Sequence, residues 1–177
     1  LSWIFARAIP AQGPAAPHIA ITRNPIVSTM VLLNELRADW RLWSGAHIVS
    51  WFWVVGFVAL SLLPTVIKTV IGGSEGVVTL CLAIFTIGIA CGSLLAARAS
   101  RGQPNLALVP LGAFLMGIFA LSIAGLTSLA TLPAQPLRPL EMMMSPLGAP
   151  LALSLLGMAI AGGLFIVPTF AAVQAWA

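Results

Sequence analysis

The chain reads as an all-α, polytopic membrane protein, and three observations predict this. First, only 7% of its 177 residues are charged and 60% are hydrophobic. A soluble domain carries roughly a quarter charged residues, so a water-soluble globule built from this chain would lack the polar surface to cover itself. Second, Leu42 to Ile67, Gly76 to Ala97, Gly102 to Leu137 and Met142 to Ala177 contain no Asp, Glu, Lys or Arg. Each of these runs reaches the ~20 residues that a helix needs to cross the hydrocarbon core. Third, the basic residues collect at alternate ends of the runs. Arg7, Arg23, Arg37, Arg41, Arg98 and Arg101 fall on one side, and Lys68 and Arg138 on the other.

The elements follow in order. Leu1 to Ala8 reads as the cytoplasmic tail of a preceding span, and Pro10 to Pro17 as a loop. Asn24-Pro25 is a helix start, since Asn suits the N-cap and Pro the first helical position. Ile26, Met30, Leu33, Leu36 and Trp40 then recur at helical spacing, with Glu35, Arg37, Asp39 and Arg41 on the rest of the surface. This predicts an amphipathic helix along the membrane face or a solvated linker helix. Residues 1–43 are thus the end of a span, a linker and this helix, and residues 44–177 hold four spans.

The spans are expected at about 44–64, 76–97, 105–130 and 147–172. Trp40 and Trp43 mark the first at the interface, where indole is favoured. Gly72-Gly73 makes the turn to the second. A Pro-rich loop, "TLPAQPLRPLEMMMSP", leads to the fourth, in which Pro168 is expected to kink or break the helix. By the positive-inside rule, the N-terminal segment and the loop around Arg98 and Arg101 are cytoplasmic, and the loops after the first and third spans face outward.

Function classes are narrowed by what the chain lacks. It has no HExxH, GxSxG or P-loop and no paired carboxylates, so no enzyme is expected. Glu35, Asp39, Glu75 and Glu141 all lie outside the spans, against proton coupling through this region. The net charge of +4 and isoelectric point near 10.6 come without a dense basic patch, which argues against nucleic acid. Cys81 and Cys91 sit ten residues apart on one expected helix, ~15 Å along its axis, too far to bridge. They read as small buried thiols. No metal-ligand spacing is present, and no cofactor is expected. The start at Leu1 and the end inside an apolar run suggest a piece of a longer protein.

Small residues recur every four positions: Gly88, Gly92 and Ala96; Ala113 and Gly117; Ala120 and Ala124; Gly157 and Ala161. Such spacing lets helix backbones approach closely in lipid. Packing is the plain reading, and a sliding interface the sharper one.

The stretch "CGSLLAARASRGQPNLALVPLG" resembles the short-loop motif of major facilitator superfamily transporters, in which Gly, an acidic residue, Arg, Gly and further basic residues lie between paired helices. Gly92, Arg98, Arg101 and Gly102 fit, and the acidic position is Ala97. "SWFWVVG" from Ser50, "EGVVTLCLAIFTIGIACGSLLA" from Glu75, "LVPLGA" from Leu108 and "GGLFIVP" from Gly162 occur in the order of the lysophospholipid transporter branch. That branch includes transporter regions fused to a glycerophospholipid acyltransferase. The resemblance covers about Arg37 to Gln174. It implies part of the C-terminal six-helix half of that fold, with the four spans as helices seven to ten, in a multi-pass protein of a bacterial inner (plasma) membrane. It implies lysophospholipid transport or flipping by alternating access, with the lipid bilayer, lysophospholipid or another amphipathic small molecule, and the remaining helices of the parent as partners. It also implies a conformational-switch role for the loop of Gly92, Arg98, Arg101 and Gly102. An efflux pump for another substrate, and a membrane anchor for a fused acyltransferase, are the alternatives.

Individual residues divide between packing and binding. Ser50, Trp51, Phe52 and Trp53 form an aromatic cluster inside the first span, either packed between helices or forming a wall for an acyl chain and glycerol backbone. Phe165, Pro168 and Thr169 stand at a helix break that is either tolerated or opens backbone groups to a cavity. Gln174 follows in the pattern the family shows after its Pro. The expected substrate-binding set is therefore Ser50, Trp51, Trp53, Phe165, Pro168, Thr169 and Gln174. His47 reads as an interface residue, Met142 to Met144 as a loop touching lipid, and Lys68 and Arg138 as snorkelling.

Overall fold

The computed structural model describes residues 24–101 and 103–176. Leu1 to Ala8, the Pro10 to Pro17 loop, Arg23 and Gly102 lie outside the described residues. The chain divides into two units, one ending at Ala38 and the other running from Asp39 onward.

The described part of the first unit is helix α1, Pro25–Ala38. The Asn24 Oδ1 accepts the Ile26 N–H at 3.0 Å, and its backbone oxygen accepts the Ser28 N–H at 3.0 Å. Asn24 thus caps the helix as its type predicts. No α1 residue is buried, so Ile26, Met30 and Leu33 remain exposed. The helix stops before Trp40, earlier than the apolar spacing suggested. The reason is Asp39, whose carboxylate accepts the Arg41 N–H at 2.7 Å and caps a new helix instead.

In the second unit every regular element is a helix: α2 Trp40–Thr69, α3 Glu75–Ser100, α4 Leu108–Ser128, α5 Pro139–Met144 and α6 Gly148–Trp176. Helices α2, α3, α4 and α6 are each long and apolar enough to cross a membrane. The chain is therefore a multi-pass membrane protein. Two boundaries differ from expectation in an instructive way. Helix α2 continues through Pro64 to Thr69, and α6 continues through Pro168 to Trp176. Proline removes one N–H from each ladder, yet neither helix breaks. Beside Pro168 the Thr169 hydroxyl donates to the Phe165 carbonyl at 2.7 Å, while the carbonyl that proline deprives of its ladder donor is that of Leu164. Helix α4 is shorter than expected, because Asn105 starts a turn, accepting the Ala107 N–H on its side chain and the Leu108 N–H on its carbonyl.

Helix α6 is the centre of the unit, with the largest set of buried residues. One face meets α3 along Gly88, Gly92 and Ala96. A Cβ on Gly88 would lie 2.6 Å from the Ala159 Cβ, and one on Gly163 only 2.6 Å from the Ser93 nitrogen. A Cβ on Gly92 would strike the Ile160 carbonyl. The backbones touch there because these positions lack side chains. Another face meets α4, where Gly157 receives the Phe119 ring, Gly112 approaches the Ala161 carbonyl, and the Ser122 and Ser154 hydroxyls hydrogen-bond at 2.9 Å. The Ala113–Gly117 and Ala120–Ala124 pairs behave differently. They are exposed, and a Cβ on Gly117 would meet nothing within 4 Å.

The ends of the helices alternate. Helices α2 and α4 begin, and α3 and α6 finish, at the end carrying Arg41, Arg98 and Arg101, termed here the basic end. At the opposite end the turn after α2 pairs with the loop after α4. Leu137 N–H donates to Gly72 O at 2.9 Å, and Ser74 N–H to Leu137 O at 3.0 Å. Gly72 has φ +71°, a conformation that suits only glycine without strain. Ile67, Val77, Val78, Cys81, Met142, Leu151 and Leu155 form the buried core beneath this pairing. Two expectations are corrected here. Met142 is fully buried in the short helix α5, capped as Glu141 accepts the Arg138 N–H at 2.8 Å. The exposed Lys68 ammonium pairs with Glu75. Cys81 is buried but Cys91 is exposed, and both are free thiols.

Candidate functional site

The expected binding residues sit in three places. Ser50, Trp51 and Phe165 line one groove between α2 and α6, together with His47, Ile48 and Val54. Thr169 lines a cleft at the basic end with Trp40, Arg41, Ser44, Gly45, Ile48, Ala172 and Trp176 of α2 and α6, and Leu106, Val109 and Pro110 at the start of α4. Pro168 and Gln174 face the other side of α6, in a cleft with Ala97, Ser100, Gln103 and Pro104 of the loop region. Trp53 lines none of these and is 60% exposed.

The first two places are consecutive along one groove. They share Ile48. On α6 the lining residues Phe165, Thr169, Ala172 and Trp176 recur at helical spacing, so they form one strip along the axis. On α2 the strip is Trp40, Ser44, Ile48 and Trp51. The groove holds about 500 Å³ beside Trp51 and about 360 Å³ at the basic end, within the ~300–1,000 Å³ of small-molecule sites.

The floor is set by the way α2 meets α6. Phe52 stacks on Phe165 with centroids 5.5 Å apart and planes 17° from parallel. Nearer the basic end Gly45 is buried against the Val173 side chain. Phe52 therefore turns inward while Trp51 stands 70% exposed along the rim. The expected aromatic wall divides: Phe52 packs, Trp51 lines the groove, and Trp53 faces away. His47 Nδ1 lies 2.9 Å from the Trp43 carbonyl and its ring sits edge-on to Trp43 at 4.3 Å, which fixes the imidazole at the rim.

The sequence reading named Phe52 in its aromatic cluster, where the fold makes it the floor, but did not connect Trp40, Arg41 and Trp176 with the groove. A signal existed for the floor, since Gly45 and Phe52 are seven residues apart and share a helix face. None existed for Trp176, which shares a cleft with Trp40 only through the tertiary fold. In the loop region Arg98 and Arg101 are exposed, and Arg101 takes a left-handed φ of 43° as it ends α3.

No protein-family model, curated protein or solved structure matches the chain.

Proposed function

We propose that the chain forms part of a major facilitator-type transporter that moves lysophospholipids across a bacterial inner membrane by alternating access. The observation that carries the reading is the α2–α6 groove, mostly apolar and aromatic along its length, with His47 and Ser50 beside Trp51 and its arginine, Arg41, at the basic end. An amphiphile with one chain and one polar head has that same division. The helix pair that builds it meets through a ring stack and a glycine contact, not a deep interdigitated core, so α2 can shift against α6 without exposing charge. Arg98 and Arg101 lie at the end where such a shift would be felt, and Gly92 sits directly in the α3–α6 seam.

The test is uptake of labelled lysophospholipid into vesicles carrying the intact parent protein, with any downstream catalytic region deleted. Saturable uptake that falls on Phe165→Ala supports the reading. Absence of uptake, with lipid acylation surviving only when the membrane region is present, would make the helices an anchor. Uptake of cationic drugs and not of lysolipid would make the protein an efflux pump.

A further inference from the structure

We infer that Arg41 is the phosphate-binding residue of the groove, holding the head of a single-chain phospholipid whose acyl chain lies along α2 and α6 toward Trp51 and Phe165. This rests on the proposed function for its occupant and adds the residue that selects it.

Arg41 lines the basic-end cleft beside Trp40, Ser44 and Trp176. It is the only Arg or Lys among the residues that line either part of the groove. The ion pair found among the described residues is Lys68–Glu75, at the opposite end. The nearest acid in sequence, Asp39, turns its Oδ1 to the Arg41 backbone N–H at 2.7 Å as the helix cap. Among the described residues no acceptor is paired with the Arg41 guanidinium, and a phosphate matches its planar fork with two parallel hydrogen bonds. Trp40 and Trp176 line the same cleft, and indole is favoured at a membrane–water interface.

Length supplies the second constraint. From Phe165 to Trp176 the α6 strip rises ~16 Å at 1.5 Å per residue, about half of the ~30 Å hydrocarbon core. The groove is therefore one leaflet deep, with its cation at the interface and its apolar end near the midplane. That matches one acyl chain hanging from one phosphate. Ser50 and His47 are the polar residues of the deeper part, while Ser44 and Thr169 add polar groups near the mouth, where a glycerol would sit. Thr169 is already committed to the Phe165 carbonyl, which leaves Ser44 as the hydroxyl available to it.

The experiment titrates the purified protein in neutral detergent with three brominated probes and follows quenching of tryptophan fluorescence. The probes are 1-acyl lysophosphatidic acid, the monoacylglycerol of the same chain, and diacyl phosphatidic acid. We expect the phosphate-bearing single-chain probe to bind roughly tenfold or more tightly than the monoacylglycerol, the scale of a charge-assisted hydrogen bond. Arg41→Gln should remove that preference, Arg41→Lys should retain part of it, and Arg138→Gln, one charge lost at the far end, should leave it intact. Protection of Cys81 from a thiol dye reports that each variant is folded. Equal binding of the two single-chain probes by the wild type, a preference that survives Arg41→Gln, or equal binding of the diacyl probe would each overturn the inference. Failure of vesicle uptake with the Arg41-dependent preference intact would instead remove the transport reading and leave this site standing.

Discussion

Replacing Gly163 with alanine puts a methyl group 2.6 Å from the Ser93 nitrogen and 2.7 Å from the Gly92 carbonyl carbon, where ordinary contact begins at 3.4 Å. The obstacle is α3 backbone, which cannot rotate aside, so α3 and α6 must separate by several tenths of an ångström along their seam. Overpacking of this kind costs about 1–3 kcal/mol. Alanine also gains about 0.5–1 kcal/mol over glycine within a helix, which would blur the reading of a single variant. Gly117→Ala provides the matched control, since its methyl group meets nothing within 4 Å. The difference between the two variants cancels the helix term and isolates the clash. At 1.4 kcal/mol per tenfold it corresponds to a roughly 5- to 150-fold change in the opening equilibrium. Cys81 reports that equilibrium, being fully buried in the core. In a Cys91→Ser background, its rate of thiol-dye labelling in detergent should rise by that factor for Gly163→Ala over Gly117→Ala. Equal labelling rates would refute the claim that α3 and α6 pack backbone to backbone at these glycines.

Three further outcomes follow from the geometry. Phe52→Ala removes the stack on Phe165 and should lower stability by about 0.5–1.5 kcal/mol beyond the loss of buried area, read as a lower thermal midpoint than Phe57→Ala, whose ring is 74% exposed. A double-mutant cycle on Ser122 and Ser154 should return a coupling of about 0.6–1.7 kcal/mol, the range for a hydrogen bond between helices in a bilayer; zero coupling would remove the bond from the account. Lys68→Ala and Glu75→Ala should each change stability by less than about 1 kcal/mol, because the pair is exposed to solvent on both sides, and high salt should erase what difference there is.

The helices were legible in the sequence because charge is so scarce: four charge-free runs leave no other arrangement in lipid. Asn24 was legible as a cap because its side chain acts within two residues. The first span was drawn to end at Pro64 and a break at Pro168 was one of two expectations, but both helices continue, because membrane helices tolerate proline where neighbouring groups re-satisfy the ladder. Burial was harder still. Helices apolar on every side show no periodicity that separates core from lipid, so Cys81 and Cys91 look alike in sequence and differ in the fold. Gly88 and Gly92 carry the same spacing as Ala113 and Gly117, yet only the former pair meets a neighbour within this unit. The groove shows the same division. Trp51 and Phe165 could be singled out as aromatic groups deep in spans, but their union with Arg41 and Trp176 depends on α2 lying beside α6.

The alternation of ends underlies the proposed placement of the groove in one leaflet, so side-specific labelling tests the account most directly. Single cysteines replace Arg101 and Arg138 in the intact protein, lacking both native cysteines, and are treated in sealed cells with a membrane-impermeant thiol reagent. The account predicts that position 138 reacts from outside and position 101 reacts only once the membrane is opened. Labelling of both positions from the same side would contradict it.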